Sequence, residues 1–448
     1  MPDVRHRAEA LCDGGAFGDR AAGVVPEERR PGAVVGERGL SARTPSPREA
    51  LTAQETTMTT ATATTVFDSC SYILEPAAIW EQHLDAAYRV AARSAFYFNL
   101  DASGVITTIL NGRSAKPMNS SRIFRQAIWR PGMTPEQIGD LDPRAFHPIN
   151  PGAWDAAARL KDMDAMGVKQ ALLFPTTFAE YFPLVENPDL AHALARAYND
   201  WIADFAKVNS QRLFPVAVLP VQDTGFALAE LRRIAKSGFK AVFIRPAYYG
   251  GGFLSHKRYT ALWQELEGSG IAAFIHASPG STNAEWTSTG PYVERVALKM
   301  AIGHNVAEAV ALAMDNAAAL TAFAFCGHME EYPKLKLAFA GAGASLIPLT
   351  LEKSETYLTV ASYIRDVSLE PEHIFVERPS LVTFDTWEST VARLHDAFSP
   401  FAAWGSRYPH HDASTAHEAM AMLKKHNVPA AETQRLMSGN ILSFLGVR

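Results

Sequence analysis

The stretch Trp404 to Asp412 (WGSRYPHHD) gathers an arginine, a tyrosine, two histidines and an aspartate behind an apolar run, Phe401-Ala402-Ala403-Trp404. It reads as a short buried strand ending in a loop of polar side chains. In a (β/α)8 barrel the C-terminal ends of the strands are where chemistry sits. Arg407 carries a permanent cation whose planar fork can hold a carboxylate bidentately. His276 ends another apolar run (FIHASPG) and is the residue type that serves as general acid or base. Tyr72 and Cys70, in FDSCSY, can donate a proton, and the thiol can act as a nucleophile. Such a set suits a cofactor-independent decarboxylase, lyase or acyl transfer on a small carboxylic acid. His410-His411-Asp412 looks metal-like, but adjacent residues on one loop rarely converge on one ion; His410 counts here as a candidate substrate contact, with Cys70 and Arg407. Tyr248 is a fourth such contact, since the glycines of Tyr248-Tyr249-Gly250-Gly251-Gly252 let a ligand approach the backbone. His328, Glu330 and Glu331 in GHMEEYP read as a solvated loop. Asp162 and Asp164 read as helix residues that cap or pair locally.

The elements that must position these residues alternate in type. Val66 to Leu74 reads as a first strand, followed after Pro76 by a helix through Trp80 and Leu84. About 95–150 is an irregular insertion, of a length that is usually functional or interaction-forming. From Trp154 onward strand and helix alternate, the pattern of a parallel α/β fold. VKQALLFP, LFPVAVLP, KAVFIRP, IAAFIHASPG and LKLAFAGAG supply strands two to six, HIFVE and its neighbours to Phe384 the seventh, and FAAWGS the eighth. Asp189 to Val208 is an amphipathic helix with Leu190, Leu194, Tyr198, Trp201, Ile202 and Phe205 on one face. A long apolar helix is expected from about Tyr292 to Phe325. The fold class is α/β: a single TIM barrel over 58–448, with its insertion after the first strand.

Residues 1–57 differ, with eight Arg, no Lys and Phe17 as the single aromatic. Such a segment cannot bury enough apolar surface to offset its ordering entropy, so a disordered extension is expected. The chain of 448 residues has a net charge of −5, which gives no electrostatic case for nucleic acid or a membrane surface. Cys12, Cys70 and Cys326 are too widely spaced for a disulfide framework or a zinc cluster, so a cytoplasmic location is expected. Charged residues interrupt the most apolar stretch, Val296 to Phe325, so no membrane span is expected.

VFDSCSYILEP, PGAWDAAARLKDMDAMGV, ARAYNDWIADF, FIHASPG, EEYPKLKLAFAGAGASLIP, WGSRYPHHD and the final Gly439-Asn440 occur in an order that resembles the amidohydrolase-related family over about residues 66–446. That resemblance implies a TIM barrel whose relatives are metal-dependent hydrolases and decarboxylases. It also implies a divalent ion, zinc, manganese or iron, held at the strand ends. Position by position, the implied ligands are missing. Cys70 and Tyr72 stand where two strand-one ligands belong, Gly341 where strand six offers Glu or His, and Arg407 where strand eight offers Asp. Only His276 keeps a ligand-type side chain, while Gly341 is expected to widen the pocket floor. The leading expectation is therefore a member without its metal: a pseudoenzyme, or a non-catalytic subunit in a homo- or hetero-oligomer with a related barrel. The alternative is a divergent hydrolase or decarboxylase of a small, aromatic carboxylic acid, with His276, Arg407 and Tyr72 as its catalytic residues.

Overall fold

The structure is a computed structural model and describes residues 65–76, 78–100, 106–110, 113–114, 128–139, 150–277, 304–360 and 371–448. The expected disordered extension, 1–57, lies outside them. Eight strands pair in parallel in chain order. They are β1 (Phe67–Tyr72), β2 (Gln170–Phe174), β3 (Leu213–Val218), β4 (Ala241–Ile244), β5 (Ala272–His276), β6 (Leu337–Ala340), β7 (Ser380–Phe384) and β8 (Ala402–Trp404). Apart from β1, which buries Asp68, Ser69 and Ser71, these runs are largely apolar because barrel interior and helical ring cover both of their faces. The last strand meets the first through Ser69 Oγ, which donates to Trp404 O at 2.6 Å. Beyond β8, Arg407 N donates to Cys70 O at 3.0 Å and Tyr72 N to Tyr408 O at 2.6 Å. The result is a nearly closed (β/α)8 barrel.

Local signals start and stop the helices around it. Asp155 caps Ala156–Met166 by accepting from Ala158 N, and Gly167, at φ +76°, closes it. Asn187 caps Pro188–Ala206, which buries Leu190, Leu194, Tyr198, Trp201 and Ile202 against the barrel. Thr415 and Glu418 form a reciprocal capping box on Ala416–Lys425.

Two expectations need correction. HIFVE is not part of β7: Pro371–Phe375 is a short helix and the strand begins at Ser380. GHMEEYP is not a solvated loop, because His328–Glu331 is a helical turn with His328 buried among Trp263, Phe323 and Tyr332. Within the insertion, Phe96–Leu100, Ile106–Leu110 and Arg113–Ser114 form a small antiparallel sheet. The long apolar helix is described over His304–Phe325. Among the described residues no helix is long and apolar enough to cross a membrane.

Candidate active site

β1 and β5 end side by side in function if not in order: both deliver their last polar side chains to one cluster. Tyr72 OH lies 3.1 Å from His276 Nε2. Cys70 Sγ donates to Tyr72 OH at 3.2 Å and stands 3.7 Å from the same nitrogen. The other ring nitrogen, His276 Nδ1, is 2.6 Å from Ala277 O. A carbonyl only accepts, so Nδ1 carries the proton and Nε2 accepts from Tyr72. Cys70, Tyr72 and His276 thus form one hydrogen-bonded chain, each link satisfied by the next.

Burial keeps this chain uncharged. It pushes the Cys70 thiol up to about 12. It also raises the Tyr72 phenol well above its usual range, helped by the neighbouring thiol. His276 is drawn down to about 3 by burial, with the Arg407 and Arg245 cations acting in the same direction. At neutral pH the cluster therefore holds a thiol, a phenol and a neutral imidazole.

Arg407 is the cation beside them. Its Nε donates to Asp412 Oδ2 at 2.7 Å and its NH1 to Gly341 O at 3.2 Å, so the guanidinium reaches from the loop after β8 to the end of β6. Burial opposes this charge, but Asp412 and the surrounding groups raise its pKa well above the usual arginine value. In return Arg407 overrides the burial of Asp412 and holds that carboxyl near 2. The arginine backbone is left-handed, at φ +59°, a conformation that costs an L residue about 1 kcal/mol.

Buttressing explains why that conformation persists. Asp68 in β1 accepts from Ser406 N at 2.8 Å, from Ser406 Oγ at 2.5 Å and from Cys70 N at 3.2 Å. Tyr408, next to Arg407, donates to Asp162 Oδ2 at 2.5 Å. The Arg159 guanidinium lies 4.1 Å from the Tyr408 ring centre and donates to Tyr72 O at 2.7 Å. Asp162 is thus not a locally paired helix residue; it ties the helix after the insertion to the loop after β8. Asp164 pairs with Arg212 at 2.7 Å.

Gly341 has a different role from the one its sequence position suggested. A Cβ built there would lie 2.3 Å from His276 Cε1 and 2.5 Å from Nε2, and its φ is +75°. The imidazole occupies the space a side chain would fill, so the glycine admits the ring and does not widen the floor. His410 stacks on Tyr72 with ring centres 4.1 Å apart. Tyr248 packs on Phe253, with ring centres 5.7 Å apart. Sequence reasoning brought together Cys70, Tyr72, His276, His410 and Arg407. It missed Asp412 as the counter-ion, the Arg159–Tyr408–Asp162 clamp and Thr383, whose Oγ1 accepts from Gly341 N at 3.2 Å. Tyr408 and Asp412 carried a signal as members of WGSRYPHHD, and Arg159 and Asp162 as members of PGAWDAAARLKDMDAMGV, but neither stretch showed that they meet.

A family model described as amidohydrolase matches residues 145–447, more than half of the chain. This chain belongs to the amidohydrolase family. Among its relatives is a 2-amino-3-carboxymuconate-6-semialdehyde decarboxylase from Dictyostelium discoideum, 26% identical over 48% of this chain and 55% of that protein. The match thus spans little more than half the length of that relative. An amidohydrolase from Mycobacterium avium subsp. paratuberculosis K-10 superposes with a TM-score of 0.68 at 17% identity, covering 86% of this chain and 100% of that one. A 5-carboxyvanillate decarboxylase from Novosphingobium aromaticivorans, solved with manganese and 4-hydroxy-3-methoxy-5-nitrobenzoic acid, superposes at 0.60 and 16% identity, covering 86% and 97%.

The side chains of this amidohydrolase barrel that could donate to a divalent ion are engaged with one another. His276 Nε2 spends its lone pair on Tyr72. Burial favours the protonated forms of Cys70 and Tyr72, and a thiol or phenol must ionise to bind a metal well. Among the described residues no three His, Cys, Asp or Glu side chains are grouped to hold a metal. A unit charge about 4 Å from a second is worth about 4 kcal/mol at an effective dielectric of 20, so Arg407 would oppose a dication further.

Proposed function

We propose that this barrel binds a small, aromatic carboxylic acid through Arg407 without a metal, and does not catalyse the metal-assisted decarboxylation of its relatives. One observation carries the reading: Nε2 of the one retained histidine, the nitrogen not engaged with Ala277 O, already accepts a hydrogen bond from Tyr72. The guanidinium supports the ligand class, since its NH2 makes no hydrogen bond among the described residues and its side chain stays 15% exposed. Benzoate titrated by calorimetry in a chelator should bind the wild-type chain, and Arg407→Ala should weaken it at least about tenfold, the equivalent of 1.4 kcal/mol. Equal affinity in the two would contradict the assignment. A non-catalytic barrel of this kind would pair with a related one. The exposed Val310 and Met314 on His304–Phe325, and Leu349 and Tyr357 on the contacting helix Leu346–Val360, support such pairing.

A second reading is favoured by the Cys70–Tyr72–His276 chain itself and by the decarboxylase relative. Loss of carbon dioxide leaves its bonding electron pair on the substrate carbon, which must take up a proton. Under this reading Tyr72 would turn its hydroxyl from His276 to give that proton, and Cys70, which donates to it, would resupply it. Arg407 would hold the substrate and His276 would orient the phenol. Under this reading Arg407→Ala abolishes turnover while circular dichroism stays unchanged; full turnover in the variant would sink it.

A further inference from the structure

The cation at the barrel mouth is not offered whole to a ligand. Asp412 Oδ2 takes Nε, and Gly341 O takes one hydrogen of NH1. What remains is the end formed by NH1 and NH2, wide enough for one carboxylate held end-on. Asp412 is a carboxylate of the chain itself, 2.7 Å from the guanidinium and one-third exposed. Asp385, at the end of β7, is the second nearby carboxylate; burial raises its pKa and Arg407 pulls it back down. A ligand therefore meets one cation with at least one full negative charge already beside it.

We infer that Asp412 is the specificity-determining residue of this site: it restricts the ligands held by Arg407 to monocarboxylates and rejects dianions, dicarboxylate and phosphate alike. The inference rests on the assignment of Arg407 as the carboxylate anchor. One carboxylate already brings Arg407, Asp412 and the ligand together to a net charge of −1. A second charge on the same ligand would face Asp412 across a partly buried space, where like charges are poorly screened. Asp412 also fixes which edge of the guanidinium is used, because its hold on Nε leaves only the NH1–NH2 end. No step of bond making is involved.

The test compares benzoate with phthalate by calorimetry at pH 7.5, where both acids are fully ionised, on wild type, Asp412→Asn, Asp412→Glu and Arg407→Ala. Wild type should prefer benzoate by at least about tenfold, a difference of 1.4 kcal/mol. Asp412→Asn keeps a hydrogen-bond acceptor for Nε but removes the charge, and should erase most of that preference by tightening phthalate. Asp412→Glu keeps the charge and should keep the preference, which separates a charge effect from mere loosening of the loop. If Asp412→Asn binds benzoate in an Arg407-dependent way yet retains the wild-type preference, the inference fails while the anchor stands. If benzoate binds equally well to Arg407→Ala, the anchor fails and the inference with it.

Discussion

Tyr72 sits between a thiol and an imidazole, and its hydroxyl does two things at once. It donates to His276 Nε2 at 3.1 Å and accepts from Cys70 at 3.2 Å. Tyr72→Phe leaves a buried acceptor on His276 without a partner, so urea denaturation should show a loss of about 1–3 kcal/mol. No change in stability would mean that the link is not made. His276 gives a pH signature. Its folded-state pKa is depressed to about 3 against 6.5, so the unfolded chain takes up a proton that the folded chain refuses. The stabilisation is complete above pH 6.5 and drains away as pH falls toward 3. Between pH 7 and pH 5 wild type should lose about 2 kcal/mol relative to His276→Gln, which cannot titrate. Parallel stability curves for the two proteins over that window would contradict a buried neutral imidazole.

At the scale of elements, the loops after β6 and β8 converge on the strand ends and each is held by a contact from elsewhere. The loop after β6 must carry glycine at 341, because His276 lies where a Cβ would be and the backbone is left-handed. Gly341→Ala should lower the denaturation midpoint by an amount equivalent to about 2 kcal/mol or more, from overpacking and φ strain together. The loop after β8 is held by Asp162 through Tyr408. Tyr408→Phe should weaken benzoate binding along with stability, since Arg407 is its neighbour. An unchanged affinity would show that the clamp serves the fold alone. Strand and helix positions were legible in the sequence because apolar runs of strand length alternate with capped helices. β7 was misplaced because HIFVE has a strand's composition but lies in a helical turn beside the barrel. The Asp162–Tyr408 contact spans 246 positions in the chain, and no local pattern encodes such a pairing. The same holds for Asp412, whose role depends on a guanidinium turned back along its own loop.

For the whole molecule, the barrel scaffold is kept and the charge at its mouth is rearranged. The order of family motifs carried the fold, since a nearly closed eight-stranded barrel requires all of them in sequence. The substituted positions at 70, 72, 341 and 407 were also legible one at a time. What they build together was not, because hydrogen bonds among Cys70, Tyr72 and His276 arise only once β1 and β5 stand in one barrel. The central claim is that this rearranged mouth is served by Arg407 and not by a divalent ion. Equilibrium dialysis of chelator-stripped protein against manganese or zinc, read as metal bound per chain, tests it most directly. Binding well below one equivalent, with benzoate affinity the same before and after the metal is added, is the expected result. One tightly held ion per chain that benzoate binding requires would contradict the account.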